Sequence, residues 1–431
     1  MTIQELYSIY LQHPSVQTDT RQLKEGDLFF ALKGPNYNAN QLAVKALETG
    51  ARYAVVDEVP PGGPHPGLIQ VENVLDTLQQ LAGFHRNQFD IPFIAITGSN
   101  GKTTTKELIH SVLSTTYITY TTQGNLNNHI GIPLTLLRIG KDAQMAVIEM
   151  GANHIGEIAG YCTYTRPTHG IITNTGKAHL EGFGSLEGVR KGKGELYDHL
   201  RETGGTALVM WDYDYLREMS KGISHLVRYG TGKGTNQEDI VGDVAGNHEF
   251  LEVNIRKGAN TPLLKTHLVG DYNLPNVLAS VACGKLFGVP DDYILQAIET
   301  YIPTNSRSQM IRSGNNNIIL DAYNANPSSM AAAIENFAHM AVSGKVLMLG
   351  GMKELGRESV EEHQQLVHLI DRYPWQAVVL VGGDFARVSH RYTFFPDTAA
   401  ARNWLRQQAF THSTILIKGS RGIEMENILE S

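Results

Sequence analysis

Residues Phe93–Ser114 read FIAITGSNGKTTTKELIHSVLS, and this stretch decides the fold. An apolar run, FIAIT, ends in a turn built of Gly, Ser and Asn. Lys102 and Thr103 follow, and then a helical pattern that sets Leu108, Ile109, Val112 and Leu113 on one face. The order is strand, phosphate loop, helix. Backbone N–H groups of such a loop and the positive end of the helix dipole favour phosphate oxygens. Lysine at the place of Lys102 reaches the β- and γ-phosphates, and a hydroxyl at the place of Thr103 ligates Mg²⁺. The general phosphate-loop pattern has glycine five residues before the glycine of Gly-Lys; Ile96 stands there, leaving the shorter form TGSNGKT, Thr97–Thr103. The competing reading is a glycine-rich turn without a ligand. Lysine and threonine in register after the turn favour the phosphate.

Outward from this stretch, apolar runs alternate with helical ones. Ala146–Met150, Gly170–Asn174 and Thr206–Met210 are short, apolar and bounded by turn residues, as buried parallel strands are. Between 225 and 268 the strand-like pieces His225–Tyr229, Glu249–Ile255 and Thr266–Val269 are separated by polar, Gly-rich turns, which predicts an antiparallel insert. Asn276–Phe287 predicts a helix. Beyond residue 303, Asn317–Asp321, Lys345–Leu349, Ala377–Val381 and Thr414–Lys418 predict four strands of a doubly wound sheet. Upstream, residues 1–88 predict a small α/β domain with strands Asp27–Leu32 and Tyr53–Val56, a loop at Pro60–Pro66 and a helix over Leu75–Arg86. The expected fold is α/β in three domains: 1–88, 89–302 and 303–431.

Composition narrows the function. A chain of 431 residues with net charge -7 is not a general nucleic-acid binder. Two cysteines far apart, Cys162 and Cys283, point to a reducing compartment rather than a disulfide framework. The amino-terminal segment lacks the pattern of a signal peptide, and no apolar run reaches membrane-spanning length, so the cytoplasm is expected.

Several residues could carry chemistry. Glu149 ends an apolar strand, where a carboxylate either faces solvent or holds a metal on a nucleotide. His179 lies just beyond the strand Ile171–Asn174, as a structural side chain or a functional one. Lys191 and Lys193 open a helix against its dipole, so an anion compensates them, one is modified, or the turn is simply solvated. Asn125-Leu-Asn-Asn128 sets three amides at a loop, suited to phosphate, sugar or a plain cap. Asp321 ends a strand before Tyr323-Asn-Ala-Asn-Pro327, and Arg307 stands at the junction of the second and third units. The polar loop Lys33–Asn38 follows a strand end, where α/β sheets bind ligands.

Together these segments resemble the Mur ligase family, most closely its MurF type. The resemblance spans the chain: TGSNGKTTTKE (Thr97–Glu107), NLNNHIGIPLTLLR (Asn125–Arg138), AVIEMGANHIGEI (Ala146–Ile158), AHLEGFGSLEGVRKGKGE (Ala178–Glu195), GDYNLPN (Gly270–Asn276), DAYNANPSSM (Asp321–Met330) and KGSRG (Lys418–Gly422). It implies a small UDP-substrate-binding domain, a central P-loop ATPase-type domain and a Rossmann-like carboxyl-terminal domain. It also implies an ATP-dependent ligase that adds D-alanyl-D-alanine to UDP-N-acetylmuramoyl-tripeptide through an acyl phosphate, in peptidoglycan synthesis. By the family pattern, Thr97, Gly98, Ser99, Asn100, Gly101, Lys102, Thr103 and Thr104 hold the phosphates. Asn273 and Asn276 lie near the adenine, and Arg307 and Asp321 reach the nucleotide. Two Mg²⁺ ions are implied, the first on Thr103 and Glu149 and the second on His179. Lys193 matches the lysine carbamylated by CO₂, which turns an ammonium into a carboxylate able to support Mg²⁺. Thr20, Arg21 and Lys33 fall on the uridine side, Asn125 and Asn128 on substrate, and Asn324 and Asn326 near the incoming amine. Tyr272 stands where the family often has His, and Asn38-Ala-Asn40 departs from the usual Asp-Gly-His-Asp. A monomer, without nucleic-acid partner or membrane insertion, is expected. The alternatives are a sister ligase adding one amino acid, a folylpolyglutamate synthetase, an inactive nucleotide-binding scaffold, and a simple P-loop kinase or GTPase.

Overall fold

The computed structural model describes residues 1–431 apart from 62, 234–236, 247–248, 261–262, 305 and 431. Residue 62 of the Pro60–Pro66 loop, and parts of the polar turns between 225 and 268, therefore lie outside the described residues. Among the described residues, three larger sheets organise the chain, beside a two-stranded ribbon of Lys33–Gly34 and Tyr37–Asn38. A four-stranded parallel sheet runs Val16–Gln17, Leu28–Phe30, Tyr53–Val56, Leu68–Gln70 in spatial order. Its first and last strands were too short to show a period in the sequence.

The central sheet has nine strands, and Phe93–Thr97 lies inside it with all five side chains buried. Met145–Glu149 and then Thr119–Thr121 flank it on one side; His169–Ile172, Thr206–Met210 and His225–Gly230 flank it on the other. All these pairs are parallel. A strand buried on both faces reads as a continuous apolar run, which is why FIAIT was legible. The stretch 225–268 is a continuation of this sheet. Ile240–Val244, absent from the sequence reading, pairs parallel to His225–Gly230. Among the described residues of this stretch, only Glu252–Lys257 and Leu264–Lys265 are antiparallel, and they extend the same sheet edge.

The third sheet has six strands in the order Gln309–Ser313, Asn316–Asp321, Thr414–Lys418, Lys345–Gly350, Ala377–Val381, Thr393–Phe395. The four interior strands are those the sequence predicts. The outer two are partly exposed and carry no apolar run. Helices cover both faces, as parallel strands require. Among the described residues no helix is long and apolar enough to cross a membrane.

Candidate active site

The loop after Phe93–Thr97 is shaped by two glycines. Gly98 has φ +144°, and a Cβ there would lie 2.0 Å from Thr173 Oγ1. Gly101, at φ +79°, caps the helix Lys102–Ser114, and a Cβ there would meet Asn276 Oδ1 at 2.6 Å. Neighbouring chain clamps the loop: Asn100 N–H donates to Asn174 Oδ1 at 3.0 Å, and Ser99 Oγ donates to Gly176 O at 2.9 Å. Lys102 folds back and donates to Gly98 O at 2.6 Å. Burial pushes its ammonium pKa down; the Arg307 charge adds to this and the Glu149 carboxylate opposes it. Arg307 stacks its guanidinium 3.6 Å over the Tyr323 ring and leaves its buried Nε without a partner. It sits between Ser306 and Ser308, both with left-handed backbone, φ 55° and 48°.

The parallel register sets Glu149 beside Ile96, so its carboxylate reaches the start of the loop helix. Glu149 is 2% exposed; Thr103 Oγ1 donates to its Oε2 at 2.8 Å and Asn127 Nδ2 to its Oε1 at 2.7 Å. A buried carboxylate needs such donors. Behind this wall, on the helix Leu186–Thr203, lies Lys193, 1% exposed. Its Nζ donates to Ala152 O at 2.9 Å and sits 5.1 Å over the Phe183 ring. Burial drives its pKa well below the ordinary lysine value; the nearby Lys102 charge adds to this, and Glu157 and Glu195 oppose it.

The third sheet's unit closes the other side of a cavity of about 1060 Å³. Asn326 Nδ2 donates to Asn100 Oδ1 at 2.7 Å, and Lys177 N–H donates to Ser328 Oγ at 3.0 Å. Lys177 Nζ meets Glu362 Oε1 at 2.5 Å, and His179 Nδ1 lies 2.5 Å from Glu354 Oε2. His179 lowers the Glu354 pKa. Both residues hold left-handed backbone, φ 53° and 62°, a costly state for side-chain-bearing residues and one that clusters at functional sites.

The sequence of the stretch that builds this wall matches a known domain. Residues 96–284 match the Mur ligase middle domain, and 306–421 match the Mur ligase, glutamate ligase domain. The chain belongs to the Mur ligase family. It is 34% identical to a Bacillus subtilis protein named UDP-N-acetylmuramoyl-tripeptide–D-alanyl-D-alanine ligase, over 96% of this chain and 92% of the relative. Among solved structures it is similar to MurF from Acinetobacter baumannii, with TM-score 0.86 and 30% identity over 96% of this chain and 92% of that one. It is also similar to MurF ligase from Thermotoga maritima in complex with ADP, with TM-score 0.87 and 25% identity over 97% of each.

In this Mur ligase the cavity is lined by Ser99 through Thr104, Glu149, His179, Arg307 and Asp321, and by Asn324 and Asn326 from the loop after Asp321. Thr97 and Gly98 precede Ser99 in the loop and are not among the cavity's lining residues. Asn273 and Asn276 line it too, yet their amides are engaged internally: Thr105 Oγ1 donates to Asn276 Oδ1 at 3.0 Å, and Asn276 Nδ2 to Asn273 Oδ1 at 2.8 Å. Tyr272 is half-buried, with its hydroxyl 3.1 Å from Ser308 Oγ. Asp321 is paired with Lys418 at 2.6 Å. Asn128 reaches the rim, but its Oδ1 accepts from Gly131 N–H at 2.9 Å as a turn cap; Asn125 is exposed and outside the lining. Thr20, Arg21 and Lys33 stand apart from the cavity, on the first sheet's unit. Arg21 pairs with Asp19 at 2.8 Å, and Lys33 with Glu58 at 2.9 Å. Asn174, Lys177 and Glu354 carry no site assignment in the sequence reading, and Asn127 enters it only as one of the three amides of Asn125-Leu-Asn-Asn128. Asn174, shortly after the strand His169–Ile172, and Asn127, in an amide-rich loop, carry a signal; Lys177 and Glu354 become visible only when the two sheets face each other.

Proposed function

We propose that the chain is the ATP-dependent ligase that joins D-alanyl-D-alanine to UDP-N-acetylmuramoyl-tripeptide. The observation that supports it most is the cleft itself. A phosphate loop and the Thr103–Glu149 pair, with Lys193 buried behind them, face a second unit that presents Asn324 and Asn326. A kinase or GTPase needs no such facing unit. ATP use fits the ADP bound by the Thermotoga relative.

The tripeptide carboxylate attacks the γ-phosphorus, and ADP leaves. The acyl phosphate then takes the amine of D-alanyl-D-alanine at its carbonyl carbon, and phosphate leaves. Backbone N–H groups of Ser99–Thr104 and the helix N-terminus hold the phosphates. Lys102 must leave Gly98 O to reach them, and Arg307, with its free Nε, lines the same cavity from its place over the Tyr323 ring. Asn324 and Asn326 orient the amine, and the clasp of Lys177 on Glu362 excludes water while the acyl phosphate exists.

The donor set fits Mg²⁺, which takes few protein ligands and completes its shell with phosphate oxygens. The Thr103 hydroxyl and the Glu149 carboxylate are hard oxygen donors 2.8 Å apart. His179 has Nδ1 turned to Glu354, which leaves Nε2 for an ion. Burial lowers the Lys193 pKa, which favours the neutral amine that adds CO₂; as a carbamate Lys193 would support the second ion. When bound, the ions supply neutralisation of phosphate charge. Thr20, Arg21 and Lys33 bind the uridine end; Asn125 and Asn128 reach substrate from the rim. A cytoplasmic monomer fits soluble nucleotide substrates, with domain limits near 88 and 302.

Phosphate release with the UDP-tripeptide and candidate amines tests the reading. Stimulation by D-alanyl-D-alanine and not by single amino acids is expected. Stimulation by one amino acid alone overturns it in favour of a sister ligase.

A further inference from the structure

Lys106 is fully buried and has had no part in the chemistry so far. It lies three residues after Thr103 on the helix Lys102–Ser114, hence on the same face. Its Nζ donates to the main-chain carbonyl of Thr122 at 2.6 Å and lies 2.7 Å from Glu107 Oε1. Burying an ammonium is costly, and apolar replacements of buried ion pairs are often neutral or stabilising, so stability alone does not call for lysine here.

Thr122 is the next link. It is 0% exposed and follows directly on the strand Thr119–Thr121. Its Oγ1 accepts from the backbone N–H of Glu149 at 3.0 Å. From Thr122 the chain turns into the loop that carries Asn127, whose amide donates to Glu149 Oε1. One ammonium thus anchors the point from which both the Glu149 main chain and the Asn127 loop are held.

We propose that Lys106 is a positioning residue: through Thr122 it fixes the Glu149 carboxylate for a divalent cation while touching no substrate. This rests on the reading of Glu149 as a cation ligand. The test is Mn²⁺ affinity in the ADP complex, read from the electron paramagnetic resonance of free Mn²⁺, alongside the Mg²⁺ dependence of ligation. Lys106→Met keeps the length and removes the donor. It should weaken Mn²⁺ binding about tenfold, in the range found for residues behind metal ligands, with KM for the amine unchanged. Lys106→Arg should recover most of the loss. Thr122→Val keeps the shape and removes the acceptor of the Glu149 N–H; it should move Mn²⁺ binding the same way, and it carries the test if Lys106→Met does not fold. Unchanged Mn²⁺ affinity in the folded variants overturns the inference. Glu149→Gln separates the two ideas. If it weakens Mn²⁺ and the other variants do not, only the role of Lys106 falls; if it too is silent, the cation reading itself fails.

Discussion

The central cleft and the first sheet's unit hold their polar side chains in opposite ways. In the cleft, Thr103, Glu149 and Lys193 are 6%, 2% and 1% exposed, and each is fixed by a partner from a distant part of the chain. On the first unit, Arg21 is 87% exposed and pairs with Asp19, two residues away; Lys33 is 40% exposed and pairs with Asp57 and Glu58. Buried, interlocked groups lose little further entropy when a transition state forms, so their contribution falls on the chemical step. Exposed pairs are worth about 0–1 kcal/mol and are screened by salt. If Arg21 meets a substrate phosphate, as proposed, it gives up Asp19 at small cost. On that proposal the contrast puts rate in the cleft and affinity on the first unit.

The largest effect that could break this contrast is Lys193→Ala. Ligation should fall by about a thousandfold or more, the scale of losing a site's central electrostatic group, with the fold intact by circular dichroism. Acetate or formate should restore part of it by standing in for the carbamate, and CO₂-depleted buffer should slow the native enzyme. Full activity in the variant would remove Lys193 from the site.

A smaller effect is expected where the two halves of the cleft meet. Lys177→Met leaves Glu362, 5% exposed, without its cation. An unpaired buried carboxylate disfavours the closed arrangement, but Lys177 itself is 40% exposed, so solvent shares the load. We expect kcat to drop about tenfold, one pKa-unit equivalent of free energy, with a larger share of ATP lost to water than to amide. Unchanged coupling of ATP use to ligation would show that the clasp is a surface pair.

How much of this was legible follows the same division. Interior strands such as Phe93–Thr97 and Ala377–Val381 are buried on both faces, so each reads as an apolar run whatever surrounds it. Edge pieces such as Gln309–Ser313 and Thr393–Phe395 are half in solvent and carry no period. Thr103 and Lys102 were legible because loop and helix are contiguous. Glu354 was not, because its meaning depends on His179, and only packing of one unit against another brings them together. Asn276 was given to adenine on resemblance; its amide is engaged by Thr105 and Asn273, so its visible task is to brace the loop helix.

Arg21→Ala sharpens the affinity side. KM for the UDP-tripeptide should rise about five- to twentyfold, or roughly 1–2 kcal/mol of lost uniform binding, with kcat and the KM for ATP unmoved. The shift should shrink at high salt, since Arg21 itself is exposed. A fall in kcat instead would mean that the first unit shapes the chemical step.

The smallest effect on catalysis is expected at His169, which opens its strand at the end of the parallel sheet away from the cleft. Its ring packs on Phe287 at 4.9 Å, and burial lowers its pKa to about 4. The unfolded chain takes up this proton as pH falls through the ordinary histidine value of about 6.5, whereas the folded chain resists until about 4. Stability is therefore full above pH ~6.5 and is lost between ~6.5 and ~4, by at most about 3 kcal/mol from this group. His169→Gln should flatten the acid limb of a thermal-melt profile and leave kcat at neutral pH unchanged. A variant that keeps the steep limb would place the acid sensitivity in other buried histidines, such as His85 and His363, whose pKa values burial also lowers. A variant that loses kcat would show that the two ends of the sheet are coupled, and the separation of stability from rate along each strand would not hold.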